Sequence, residues 1–135
     1  MRRLGALAVA LTLALSPLAA EAKPPLREVS QIDDALLMVA IADDLRKTCD
    51  DIEPRLIRAY SYLRQLKGMA SDMGYSEDEI EDYVTSDAEK DRMEARGEAF
   101  LASRGVSRRD TTAYCTFGKQ EIARGSQIGV LLRAR

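Results

Sequence analysis

The chain contains no histidine and no tryptophan. Without imidazole it has no histidine general base, no Ser-His-Asp or Cys-His arrangement, no histidine metal cluster and no imidazole pH switch. Aromatic residues make up 5% of the sequence, a poor supply of stacking platforms for single-stranded nucleic acid or sugars. Gly-x-Gly-x-x-Gly and Walker-type loops are missing, so nucleotide phosphates have no recognisable cradle. There is no Cys-x-x-Cys, and a reactive thiol needs a nearby base or a resolving partner. No catalytic, cofactor-binding or metal-ligating residue is therefore assigned, and a non-enzymatic protein is expected.

What is present begins with an export signal. Arg2 and Arg3 form a basic start, Leu4 to Leu15 an apolar stretch too short to span a bilayer, and Ser16-Pro17 breaks it. Ala20-Glu21-Ala22 places small residues where a signal peptidase requires them. Residues 1–22 are read as a cleavable signal peptide and 23–135 as a single helical domain. The expected location is the periplasm, and no later segment is apolar enough to cross a membrane.

Setting aside Arg2, Arg3 and Glu21 leaves 18 basic and 21 acidic side chains, so no global charge recruits nucleic acid or anionic lipid. The distribution is uneven. Asp72 to Glu98 holds 11 acids against three bases, whereas Ala99 to Arg135 holds seven bases against two acids.

Cys49 and Cys115 are the only cysteines. In an oxidising compartment one intramolecular pairing is available to them, and a disulfide is expected. Closing a loop of about 66 residues is worth ~4 kcal/mol in the chain-entropy model, against the ~5–15 kcal/mol of a typical domain.

Periodicity predicts an all-α fold, a small bundle of about five short helices closed by that one disulfide. Lys23 to Val29, with Pro24-Pro25, reads as an extended leader, and Ser30 as the cap of a first helix whose face is Ile32, Ala35, Leu36, Val39, Ala42 and Leu45. Asp50 to Glu53 reads as a turn. Pro54 suits the first position of a second helix, with the stripe Leu56, Ala59, Tyr60, Leu63, Leu66, Ala70 and Met73 ended by Gly74. Ser76 and Ser86, each with glutamate three residues on, cap two further helices. The latter buries Met93, Gly97, Phe100 and Leu101 and ends at Gly105. A fifth starts at Arg108 or Asp110, buries Tyr114, Phe117, Gly118 and Ile122, and stops at Gly125.

Three patterns invite a chemical reading. Asp87, Glu89, Asp91 and Glu98 have the ligand spacing of a calcium loop, but Arg92 stands where glycine is required and the stretch has helical period. Carboxylates Asp43, Asp44, Asp50, Asp51 and Glu53 could serve glycoside hydrolysis if two met in contrasting environments. Arg104, Arg108 and Arg109 cluster at a helix boundary, where the helix dipole explains them more simply than an anion site.

The stretch Tyr114-Cys115-x-x-Gly118-x-x-Glu121-Ile122-x-x-Gly125-Ser126-x-Ile128-Gly129-x-Leu131-Leu132-Arg133, with Gly74-Tyr75 and the Met93 to Gly105 segment, resembles an uncharacterised family of small secreted bacterial helical proteins, a domain-of-unknown-function family. The resemblance implies a helical exported domain and supplies no activity or catalytic residue. Through the gene neighbourhoods of such proteins it also implies an accessory role at the respiratory NADH dehydrogenase.

Ile128, Val130, Leu131 and Leu132 need covering, either over the domain's own core or against a partner, with Gly129 allowing close backbone approach. The leading expectation is a periplasmic interaction or accessory protein with a protein partner. Its contact would be the acidic Asp72 to Glu98 face or the Ile128 to Leu132 tail. A small acid-stress-like chaperone and a carboxylate-dependent cell-wall hydrolase are the alternatives.

Overall fold

The computed structural model describes residues 23–135; the segment read as a signal peptide lies outside them. Five helices carry the fold: α1 Ser30–Thr48, α2 Leu56–Asp72, α3 Glu77–Thr85, α4 Asp87–Ser103 and α5 Thr111–Arg124. Two three-residue strands, β1 Ile52–Pro54 and β2 Leu132–Ala134, pair antiparallel, with Glu53 opposite Arg133.

α1 is the central helix, packed against α2, α4, α5 and β1. Its covered surface is accordingly wider than one stripe. Ile32, Ala35, Ala42 and Leu45 are buried as expected, Leu37 and Ile41 are buried as well, and Leu36 and Val39 lie at its edge. The main core joins Leu37, Ile41, Ala42 and Leu45 to Ile52, Met93, Leu101, Tyr114 and Phe117.

Helix boundaries follow local chemistry where a cap is present. Ser76 and Glu79 form a reciprocal capping box, the Ser86 hydroxyl accepts from the Glu89 amide, and the Asp110 carboxylate accepts from the Ala113 amide. Gly125 adopts the left-handed conformation that closes α5. Cys49, just past the end of α1, is bonded to Cys115 inside α5, with Cα atoms 5.7 Å apart.

Several expectations are corrected. The leader is not simply extended: Leu26–Glu28 forms a 3₁₀ turn that buries Leu26 in a second, smaller cluster with Ile32, Ala70, Tyr75 and Tyr83. Ser30 is inside α1 rather than its cap, which is Val29. Pro54 ends β1, opposite Leu132, instead of opening α2. Proline's fixed φ suits an extended position whose N–H is not needed for the ladder.

The tail covers the domain's own core. Ile128, Leu131 and Leu132 are almost wholly buried, in a 3₁₀ turn at Gly129–Leu131 that leads into β2. They are thereby unavailable to a partner, and of the four tail residues only Val130 is exposed. Gly129 makes this packing possible, because a Cβ there would lie 1.8 Å from the carbonyl oxygen of Glu121.

Candidate functional site

The acidic and basic clusters singled out in the sequence largely neutralise one another. Asp33, in the first turn of α1, is buried and accepts from Tyr83, from Arg92 in a bidentate pair at 3.1 and 2.5 Å, and from Arg96. Burial opposes its ionisation, but the Arg92 and Tyr83 hydrogen bonds and the two guanidinium charges outweigh that and lower its pKa. Glu89 joins the same network through Arg92 at 2.8 Å and Arg27 at 2.5 Å. The calcium-loop spacing is thus part of α4, and its glutamate at position 89 is spent on arginines. Among the described residues no group of three or more candidate ligands is placed to hold a metal ion.

Arg108 is likewise occupied, by Glu94 at 3.0 Å, Glu98 at 3.1 Å and Asp44 at 3.4 Å. Asp44 also accepts from the Tyr114 hydroxyl at 2.7 Å, and burial first, then this carboxylate, pushes the phenol pKa upward. Arg104 stacks 4.9 Å from the centre of the Phe100 ring. Of the three arginines, Arg108 is therefore a clasp between α1 and α4.

A groove of about 430 Å³ between α1 and α4 has Leu37, Ile41, Met93 and Gly97 in its lining, with Asp43, Asp44 and Glu94 at its rim. Three carboxylates satisfy a hydrolase in number. Their environments do not contrast: Asp43 holds Lys47 at 2.5 Å and Arg46 at 2.7 Å, and Asp44 and Glu94 share Arg108. Against the cost of burial, the two cations bonded to Asp43 lower its pKa, which favours a fixed anion over a proton donor. Asp51 is tied to Lys119, and Glu53 to Arg133 and Arg135.

The surface that stays uncommitted is elsewhere. At the start of α2, Leu56, Ile57 and Tyr60 are 52%, 88% and 63% exposed. The stripe predicted to bury Leu56 and Tyr60 is buried only at its far end, at Leu66 and Ala70. Leu56 borders two recesses, and Ile57 one of them. One, of about 330 Å³, lies between α2 and α1 and is lined mainly by apolar residues, Leu36, Val39, Ala40, Ala59, Tyr60 and Leu63 among them. The other carries Arg55, Arg58, Tyr62 and Arg133.

The charge of this end is one-sided. From Pro54 to Ser71 there is no acid, and Arg55, Arg58, Arg64 and Lys67 are the cations. Arg55 donates to the Leu132 carbonyl at 3.0 Å and Arg58 to the Val130 carbonyl at 3.2 Å, which anchors the side chains without compensating their charge. Among the described residues, none of Arg55, Arg58 and Arg64 has a carboxylate within 4.0 Å, in contrast to Lys67, Arg92, Arg96 and Arg108. Sequence reasoning missed this surface, although the acid-free run was a signal in plain view.

A family model described as a family of unknown function, DUF5333, matches residues 24–133. No curated protein and no solved structure matches the chain.

Proposed function

The chain belongs to the DUF5333 family, and from that premise we propose that it is an exported, non-enzymatic interaction protein of the periplasm whose contact surface is the α1–α2 face around Leu56, Tyr60 and Leu63. The observation that carries this is the placement of Leu56, Ile57 and Tyr60 on the surface beside an apolar groove, while the remaining large side chains are mostly enclosed. Isolated surface leucines need no explanation, but a contiguous apolar patch rimmed by charge is the ordinary mark of a binding surface. Export is supported by the basic and apolar start of the sequence and by the disulfide, which belongs to oxidising compartments. The non-enzymatic reading is supported by the pairing of every rim carboxylate in the α1–α4 groove with a cation.

Photo-crosslinking in the native compartment tests this. A photoreactive residue at Leu63 is expected to give one discrete protein adduct, lost when Ala59→Glu is added, while one at Val84 on α3 gives none. The respiratory NADH dehydrogenase implied by the resemblance is the first complex to seek in that adduct. Absence of an adduct at Leu63, or equal adducts at both positions, would overturn the reading.

A further inference from the structure

The exposed end of α2 combines exposed apolar side chains with arginines that have no carboxylate partner among the described residues. Ile57, at the edge of the arginine-bearing recess, has 88% of its surface in water, and Tyr60, beside the apolar recess, lies one turn further on. Arg64 follows Ile57 at two turns and so shares its face, with Arg55 and Arg58 flanking. A projecting aliphatic side chain inside a ring of uncompensated arginines is suited to a soft, apolar phase beneath an anionic surface, which is the architecture of a lipid headgroup layer.

The rest of the molecule is charged in the opposite sense at the other end of the same helix. α2 is on the order of 25 Å long, and past its C-terminus α3 opens with Glu77, Asp78 and Glu79. That separation exceeds the Debye length of about 8–10 Å. An anionic plane therefore attracts the arginine end and repels the α3 end, which fixes the orientation of approach.

We propose that the N-terminal end of α2 is a peripheral membrane-binding tip: Ile57 and Tyr60 enter the boundary between headgroups and acyl chains of an anionic phospholipid bilayer, while Arg55, Arg58 and Arg64 lie at the level of its phosphates. The proposal goes beyond the α1–α2 contact reading, which seats a protein partner in the groove around Leu63, and shares Tyr60 with it. The two are separable because lipid vesicles contain no protein partner.

Flotation with vesicles of pure phosphatidylglycerol and of pure phosphatidylcholine tests it, using protein isolated from the exported fraction with its disulfide formed. The protein is expected to float with phosphatidylglycerol and not with phosphatidylcholine, and binding should weaken as salt is raised. Ile57→Ser should reduce partitioning roughly ten-fold or more, since a buried isoleucine side chain is lost from the apolar phase. Arg64→Ala should reduce it roughly five-fold, the effect of one surface arginine. Val84→Ser, which removes an exposed apolar residue beside the acids of α3, should change nothing. No flotation with phosphatidylglycerol, or flotation indifferent to both tip variants, would overturn the proposal. Should vesicles be ignored while a crosslinker at Ile57 captures an acidic protein, the occupant is that protein and the membrane tip is refuted.

Discussion

The carbonyl oxygen of Glu121 occupies the place that the Cβ of any residue other than glycine would take at position 129, 1.8 Å from where that atom would stand. Because the obstruction is backbone in the last turns of α5, it cannot be relieved by a rotamer change. Gly129→Ala should therefore lower stability by about 2 kcal/mol or more, as the turn carrying Ile128, Leu131 and Leu132 shifts off the core. Gly68 gives the opposite expectation, because a methyl group on its α-carbon would meet nothing within 4 Å. Gly68→Ala should gain up to about 1 kcal/mol of helix propensity, and denaturant midpoints of both variants check the contrast.

Reduction of the Cys49–Cys115 bond releases a loop closed over a separation of 66 residues. Cys49→Ser with Cys115→Ser should cost about 3–4 kcal/mol by the unfolded-state argument. Urea unfolding of the native protein with and without reductant measures it. An unchanged midpoint would show that the helices hold without their clasp.

Asp33 links stability to pH. Its folded-state pKa is lowered, so the stability it contributes is present above the ordinary aspartate value of about 4 and is lost as pH falls through the lowered one. The unfolding midpoint should decline below about pH 4. Asp33→Asn should flatten that decline and cost on the order of 2 kcal/mol at neutral pH, less than for a fully buried pair because Arg92 and Arg96 are partly exposed. Client aggregation measured in the same acid range tests the chaperone alternative: suppression supports it, and none removes it.

Much of this architecture was legible because it is written in local chemistry. Ser76 and Ser86 with their glutamates, Gly74 and Gly125, and the lone cysteine pair each point to one structural role. The β1–β2 pair was not legible, since three residues show no alternation and Pro54 reads equally well as a helix start. Leu37 and Ile41 escaped because a helix surrounded by neighbours has no single apolar face. Asp33 escaped because its partners come from α3 and α4, some 50 and 59 residues away. The contact surface was hidden for a related reason: periodicity shows that Leu56 and Tyr60 share a side of α2, not that the core ends before reaching them.

Ile57→Ser should leave stability within about 0.5 kcal/mol of the native chain, because the side chain is already in water. A thermal or urea midpoint suffices. A large loss would mean that Ile57 is structural and that the tip variants report on folding rather than contact.

The central claim is that the Leu56–Tyr60 surface is covered when the protein is at work. Covalent labelling of Tyr60, compared between purified protein and protein in its native compartment, tests this most directly, with the exposed Val84 on α3 as internal reference. Protection of Tyr60 in the compartment, with Val84 labelled equally in both states, is the predicted result; equal labelling of Tyr60 in the two states would contradict the account.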